Sequence, residues 1–148
     1  MRWLLDTNVV PETGRIRPNR TVPAWFSRQP DELVAISIVT LAELREGAAR
    51  HTDDRRRSEI AQWMDTAVAS WLGERTLPPT LEILVDWLDL GRKLSAKGMT
   101  RNPADLLIAA TARVHGLIVV SRNVRDFAGT GVVVYDPWNS ETHHMELA

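Results

Sequence analysis

The stretch RNPADLLIAATA, residues 101–112, predicts a helix packed closely against a sheet. Asn102 is a residue type that caps helix N-termini, and Pro103 suits the first helical position, so a helix should begin here. The side chains that follow are mostly apolar and small, which favours tight packing on a neighbouring layer. One carboxylate, Asp105, lies in the first turn, where the helix dipole alone also favours an acid. The remaining acidic residues must decide between a structural and a functional role for it.

The composition is that of one globular domain of 148 residues with a net charge of −1. A protein that binds nucleic acid without regard to sequence is usually basic, so composition gives no support to that class. No cysteine is present, which excludes disulfides and thiolate chemistry. No apolar run approaches the ~20 residues that span a bilayer, and the N-terminus has no signal-peptide pattern. We therefore expect a cytoplasmic protein that makes no membrane contact.

Short apolar strands alternate with helices along the chain. The pattern predicts strands at 3–5, 33–37, 117–120 and 132–135, and helices at 40–50, 53–73 and 80–97 besides the one that carries Asp105. This alternation is typical of an α/β fold with a short, mostly parallel central sheet flanked by helices. We expect a single domain over residues 1–136, followed by a polar C-terminal tail at 137–148 that includes solvated histidines.

The helix predicted at 80–97 is apolar on two faces. One face carries Leu81, Leu84, Val85 and Leu88, and the other carries Ile83, Trp87, Leu90 and Leu94. A helix of this kind is covered on two sides. In so small a domain, the second cover can come from a partner subunit.

Acidic and amide side chains from four separate segments are predicted to meet at one edge of the sheet. Asp6 follows the first strand, Glu43 lies in the first turns of the helix after the second, and Asp105 lies in the first turn of a crossover helix. Asn123 and Asp126 follow the strand that precedes the last one. Ligands of open α/β sheets bind beyond the carboxyl ends of the strands. These side chains therefore define the candidate site.

Several carboxylates at one edge repel one another, and one of them must take up a proton unless a positive charge compensates. No Lys or Arg stands beside Asp6 or Asp105 in these segments. A hard divalent cation with oxygen ligands is the natural compensator: Mg²⁺ is typically held by one or two carboxylates, and Mn²⁺ accepts the same ligands. Such an ion activates water for attack on a phosphate, which makes phosphodiester hydrolysis the first candidate reaction.

Each acid also has an ordinary structural explanation. Asp6 fits a turn acid, and Asp126 fits a helix-capping acid. Thr40 and Glu43 have the spacing of a capping box, in which Glu43 would bond the helix N-terminus. The joint placement under one topology rule, rather than any single residue, carries the functional interpretation.

In four segments, in this order, the chain resembles PIN domains, and in particular the VapC/FitB-type toxins of bacterial toxin–antitoxin modules. The matching segments are LLDTN (4–8), ISIVTLAEL (36–44), ADLLIAATA (104–112) and SRNVRDF (121–127). The resemblance covers nearly the whole chain. It implies a metal-dependent ribonuclease that leaves a 5′-phosphate and a 3′-hydroxyl.

The resemblance also implies a ligand set. Mg²⁺ or Mn²⁺ would be held mainly by Asp6 and Asp105, and Glu43 would complete the acidic cluster. The fourth position lies open between Asn123, a neutral residue at the family's acidic position, and Asp126, three residues later. Two further residues at polar family positions would hydrogen-bond the acids or a bound water; these are Asn8 and Ser121.

The resemblance implies partners as well. It implies a homodimer and a small antitoxin whose tail occupies the groove of the active site. Together they would form a heterotetramer or a larger complex, and DNA would be bound only through the antitoxin.

Two other functions compete with an RNA-cleaving toxin. The first is a PIN-like module with a weak or inactive site that acts mainly in an antitoxin–DNA complex, and Asn123 in place of an acid keeps this alternative open. The second is transfer of a phosphoryl group through an aspartyl-phosphate. That chemistry would want an Asp where Asn8 stands or a Lys late in the sheet, and no Lys follows Lys97.

A group of arginines lies in the helix predicted at 40–50 and at the start of the helix predicted at 53–73. It is either a solvated helix start, partly neutralised by neighbouring acids, or a patch that contacts phosphates beside the acidic cluster. Its members are Arg45, Arg50, Arg55, Arg56 and Arg57.

Overall fold

A six-stranded sheet forms the centre of the computed structural model, which describes residues 1–10, 20–67 and 73–148. The strands are β1 (Trp3–Leu5), β2 (Val34–Ser37), β3 (Thr76–Leu77), β4 (Ile118–Val120), β5 (Val133–Asp136) and β6 (Glu141–His144). They lie in the order β3-β2-β1-β4-β5-β6. All neighbouring pairs are parallel except the last, in which β6 runs antiparallel to β5. The predicted short, mostly parallel sheet is confirmed.

Helices cover both faces of the sheet. They are α1 (Thr21–Phe26), α2 (Ile38–Ala49), α3 (Asp54–Ala67), α4 (Leu81–Ala96) and α5 (Pro103–His115). The part of the α3 prediction that falls on 68–72 lies outside the described residues. Among the helices that are described, none has the length and the apolar character that a bilayer crossing requires.

The central strand β1 divides the core into two clusters because successive side chains of a strand point to opposite faces. Leu4 belongs to the cluster under α4 and α5, with Ile83 and Ile108. Trp3 and Leu5 belong to the cluster under α1, α2 and α3. The chain is therefore a three-layer α/β structure, as the sequence predicts.

Helix α5 forms for the reasons that its sequence suggests. The Asn102 side chain accepts a hydrogen bond from the backbone N–H of Ala104 at 2.8 Å, and Pro103 occupies the first turn. The helix ends at Gly116, whose φ of 63° is a left-handed conformation that glycine adopts at little cost. The small side chains of Ala109, Ala110 and Ala112 are fully buried, and Asp105 lies in the first turn of this packed helix.

The start of α2 differs from the prediction. Ser37, not Thr40, is the N-cap, because its hydroxyl accepts the backbone N–H of Val39 at 3.2 Å. The Thr40 hydroxyl instead donates to the carbonyl of Leu5 in β1, at 3.4 Å. The predicted capping box is therefore wrong, and Glu43 lies in the second turn with its side chain free of that role.

Residues 137–148 do not form the predicted polar tail. Four of them are β6, which pairs with all four residues of β5, and Leu147 bridges Gly129 and Thr130. Of the two histidines predicted to be solvated, His144 is exposed as expected, whereas His143 is partly buried and contacts Glu141 at 3.5 Å. The strand was missed because its polar side chains show no alternation with apolar ones.

Helix α4 has the two apolar faces that its sequence predicts. Ile83, Leu90 and Leu94 are buried against the sheet. On the other face, Leu81, Val85 and Leu88 are 79%, 58% and 59% exposed. An exposed row of this size is unusual on a monomeric surface and typical of an interaction surface.

Candidate active site

Asp6 lies where β1 ends, next to β4. Its backbone N–H continues the ladder by donating to the carbonyl of Val120 at 3.0 Å. The strands that follow β1 in sequence, β2 and β3, lie on one side of it, and the later strands β4 to β6 lie on the other. The end of β1 is therefore the point at which the strand order reverses. Ligands of open α/β sheets bind at such points. Asp6 is buried there, with 4% of its surface exposed.

Three donors hold the carboxylate of Asp6. The backbone N–H of Thr7 donates to Oδ1 at 2.7 Å, while the Asn8 side-chain amide and the Ser121 hydroxyl donate to Oδ2 at 3.0 and 2.6 Å. Hydrogen bonds to an ionised carboxylate are among the stronger ones in proteins. Asp6 is therefore held in a fixed orientation while it is charged.

Asn8 and Ser121 also join the turns after β1 and β4. The Asn8 side chain accepts the backbone N–H of Arg122 at 3.1 Å. Its amide donates to the Ser121 hydroxyl at 3.1 Å, and that hydroxyl accepts the backbone N–H of Asn123 at 3.0 Å. The two polar residues of the prediction thus belong to one network around Asp6.

Glu43 reaches the site from α2. Its carboxylate accepts a hydrogen bond from the hydroxyl of Thr7, directly beside Asp6 in sequence. Because Ser37 caps this helix, the Glu43 side chain is positioned by its contact with Thr7 and not by a capping hydrogen bond.

Negative charge accumulates around Asp105. Burial raises the pKa of its carboxyl to about 6, with further contributions from the charges of Asp6, Asp126 and Glu43. The pKa of Asp6 is also raised, mainly by burial and then by the charges of Glu43 and Asp126, against the lowering effect of its bonds from Ser121 and Thr7. The charges of Glu43 and Asp126 therefore act on both Asp6 and Asp105.

The structure gives Asn123 and Asp126 different surroundings. Both lie at the 3₁₀ turn Val124–Phe127, where the Asp126 N–H donates to the Asn123 carbonyl at 3.0 Å. The charge of Asp126 acts on Asp6 and Asp105. The Asn123 side chain is exposed and does not cap the turn.

The donors fit a hard cation. Within 1–10, 20–67 and 73–148, no Lys or Arg forms an ion pair with any of the four acids. In the same ranges, no three acidic or histidine side chains form a ready-made metal cluster. Mg²⁺ needs no such cluster, because it is bound through one or two carboxylates and keeps several waters. The uncompensated, oxygen-only donor set matches that preference.

Comparison with known proteins decides the family. The model of the PIN domain family matches residues 3–132. This chain is a PIN domain protein. It is 35% identical over 135 residues to VapC ribonuclease Y4jK of Sinorhizobium fredii, covering 91% of this chain and 96% of the relative. It is 32% identical over 136 residues to toxin FitB of Neisseria gonorrhoeae, covering 92% and 98%.

A solved structure carries the same fold. The structure of FitAB bound to an IR36 DNA fragment superposes with a TM-score of 0.85 at 32% identity, over 96% of this chain and 99% of that one. The resemblance to VapC/FitB-type toxins that the sequence suggested is thereby confirmed.

A cleft of about 570 Å³ opens beside the acids of this PIN domain, between α2 and α3. Thr7 and Glu43 line the end near the site, and Ile60, Trp63 and Met64 are among the apolar residues that line the rest. The cleft is therefore acidic at the end lined by Glu43 and apolar over the remaining surface.

The arginine group is a salt-bridged surface. Arg45 pairs with Asp65 at 3.0 Å and Arg50 with Glu46 at 2.9 Å, and the three arginines of α3 pair with Glu59 or Asp54. Each of the five arginines therefore pairs with a neighbouring acid, which favours the solvated helix start over a phosphate-binding patch.

Thr7 is the residue of the site that sequence reasoning missed. Its N–H bonds Asp6 and its hydroxyl bonds Glu43, so it connects two of the acids. The available signal was its position directly after the strand-end acid, because Asp side chains often accept hydrogen bonds from neighbouring backbone N–H groups.

Proposed function

We propose that this PIN domain protein is a Mg²⁺-dependent endoribonuclease toxin of a toxin–antitoxin module. It hydrolyses phosphodiester bonds of RNA with a metal-activated water at the acidic cluster, and Mn²⁺ can replace Mg²⁺. The ribonuclease name of its S. fredii relative supports the activity, and the toxin name of its gonococcal relative supports the biological role.

One observation carries the proposal. The pKa of Asp105 is raised to about 6 by burial and by the charges of Asp6, Asp126 and Glu43, and no basic side chain of the described chain pairs with these acids. These four acids therefore have no positively charged partner among the described residues at neutral pH. A bound divalent cation would supply that positive charge and would attract a phosphate of RNA.

The roles follow from the contacts. Asp6 and Asp105 would hold the ion, which when bound lowers the pKa of a coordinated water and polarises the phosphate. Ser121, Asn8 and the N–H of Thr7 hold the carboxylate of Asp6 in one orientation, in which it would serve as a ligand. The bonds from Ser121 and Thr7 also lower the pKa of Asp6, against the larger rise caused by burial.

The remaining acids would complete the cluster. Glu43, oriented by the Thr7 hydroxyl, and Asp126, which acts electrostatically on both ligands, can accept the proton of the attacking water. We assign the fourth acidic position to Asp126. Asn123 is left a supporting role through its backbone N–H, which donates to Ser121.

A small antitoxin protein is the proposed partner. The FitAB structure is a complex bound to DNA, and the cleft between α2 and α3 offers a matching site here. Its apolar floor suits an amphipathic segment, and its acidic end suits a basic side chain of that segment. The protein would bind DNA only through this antitoxin.

The exposed face of α4 supports a homodimer. Leu81, Val85 and Leu88 form a row on one side of the helix, which a second copy would cover. With the antitoxin, two copies would give a heterotetramer or a larger assembly.

Cleavage of RNA by the purified full chain tests the proposal. We expect cleavage with Mg²⁺, none with EDTA, and a loss of at least about 100-fold in Asp105→Asn, with products that carry 5′-phosphates. Asp31→Asn, which changes an exposed acid of the turn before β2, is the matched control and should cleave normally. Unchanged cleavage in Asp105→Asn would contradict the assigned ligand set.

Calorimetry distinguishes the enzyme from an inactive module. An active site should take up Mg²⁺ or Mn²⁺ in the millimolar range or tighter, and Asp105→Asn should weaken that binding. A wild-type protein that binds neither ion would favour the alternative role in an antitoxin–DNA complex.

A further inference from the structure

Trp138 lies in the turn after β5, at the same edge of the sheet as the acids. Asp136 fixes this turn, because its buried carboxylate accepts the backbone N–H of Trp138 at 2.8 Å and the Asn139 amide at 2.8 Å. The carbonyl of Trp138 accepts the hydroxyl of Thr21 in α1 at 3.3 Å. The backbone that carries the indole is thus held from two sides.

The indole itself is supported from below. Trp138 packs against the core cluster that lies under α1, α2 and α3, and it remains only partly buried. In the same cluster, the rings of Trp3, Trp25 and Tyr135 pack with centroids 5.3 to 5.6 Å apart. A large aromatic surface with a firm base therefore reaches solvent beside the active site.

Arg122 completes this surface. Its guanidinium carbon lies 5.6 Å from the centre of the Trp138 ring, within the range of a cation–π contact. The side chain is exposed and forms no ion pair with a described residue, unlike the arginines of α3. The Arg122 guanidinium can therefore offer a ligand both its planar face and its positive charge.

The position of Arg122 ties the pair to the acids. It follows Ser121, whose hydroxyl bonds Asp6, and its own N–H donates to Asn8, which bonds the same carboxylate. A strand bound with a phosphate at Asp6 and Asp105 would therefore pass this surface.

We infer that Arg122 and Trp138 form a stacking subsite for an unpaired base of the RNA strand that enters the active site. Bases of single-stranded RNA stack on indole rings and on guanidinium planes, and the arginine charge adds attraction to the backbone. Stacking is tolerant of base identity, so the subsite selects unpaired over paired nucleotides. This inference rests on the proposed function for the choice of RNA as the ligand.

Binding of two oligonucleotides tests the inference without any cleavage. One is a labelled single-stranded RNA, and the other has the same length and phosphates but lacks its bases. Both are titrated into the full chain with EDTA present, and fluorescence anisotropy gives Kd. We expect the wild type to bind the complete RNA about 5- to 150-fold more tightly than the baseless strand.

Variants locate the effect. Arg122→Gln and Trp138→Leu should reduce that ratio toward one, while Trp138→Phe, which keeps an aromatic ring, should retain most of it. Arg125→Gln is the matched control, since it removes an exposed arginine of the next turn and should leave the ratio unchanged. Arg122 is exposed, so Arg122→Gln keeps the test valid even if Trp138→Leu folds poorly.

The outcomes separate this inference from the proposed function. A wild-type ratio near one, or a large ratio that survives in both Arg122→Gln and Trp138→Leu, would overturn the stacking subsite even if RNA is cleaved. A ratio that falls in these variants would support it even if the cleavage assay fails.

Discussion

Replacing Asp105 with Asn removes one negative charge from the acidic cluster and keeps the shape of the side chain. The pKa of Asp105 rises from 3.8 to about 6 in the folded chain, mainly through burial. At full value this rise costs the folded state about 3 kcal/mol at neutral pH. The carboxyl is about half-buried, and solvent screening reduces the expected cost to about 1 kcal/mol.

The sign of the pH dependence follows from the same rise. The folded state binds the proton more tightly than the unfolded state, so the cost is absent below the unfolded pKa of 3.8 and complete above the folded pKa of about 6. Asp105→Asn should therefore be more stable than the wild type at about pH 7.5, by about 2–4 °C in Tm, and the gain should shrink toward zero near about pH 4.

Thermal unfolding in EDTA measures this difference, and Mg²⁺ provides the second arm. Added Mg²⁺ should raise the Tm of the wild type, because it binds only the folded state, and should raise that of Asp105→Asn much less. Asp31→Asn is the control in both arms. An Asp105→Asn protein that is less stable than the wild type at neutral pH, or whose gain does not depend on pH, would refute the reasoning about mutual repulsion.

Three further predictions test other contacts. Ser121→Ala removes the 2.6 Å bond to Asp6 and should cost about 1–3 kcal/mol in denaturant unfolding while weakening Mg²⁺ binding in calorimetry; unaltered Mg²⁺ affinity would argue against an orienting role. Asp86→Ala breaks the two bonds to Arg113 at 2.7 and 3.1 Å, and should cost about 1.5–3 kcal/mol of stability with RNA cleavage per folded molecule unchanged. Leu88→Asp places a charge on the exposed face of α4 and should halve the apparent mass in size-exclusion chromatography without loss of Tm in the monomer; an unchanged mass would put the subunit contact elsewhere.

Local signals predicted much of the fold. The ends of α5 can be predicted from the sequence because Asn102 and Pro103 favour a helix start, and Gly116 a helix end, at the positions where they stand. The central strands are visible because strands buried on both faces read as continuous apolar runs. The alternation of such strands with helices was enough to give the class and the edge at which the acids lie.

The features that were missed depend on contacts between distant residues. Strand β3 has only two residues and precedes two prolines, so it leaves almost no pattern. Strand β6 is polar because it lies at the edge of the sheet, where pairing with β5 and not burial holds it. In α2, Ser37 and Thr40 both suit an N-cap, and only the tertiary bond from Thr40 to β1 decides between them.

The site was accessible to sequence reasoning at the level of residue types, and less so at the level of roles. Topology alone indicated that Asp6, Glu43 and Asp105 share an edge. The link through Thr7 and the electrostatic reach of Asp126 depend on side-chain positions and on burial, which no local pattern encodes.

Strand β6 determines how far the chain can be shortened. Without it, β5 would become an edge strand, and the backbone N–H and C=O groups that now pair with β6, at Val134 and Tyr135 among others, would lack partners. Unpaired edge strands of this kind can pair with strands of other molecules. Removal of the final eight residues would therefore convert a folded PIN domain into a self-associating one, although none of those residues belongs to the acidic cluster.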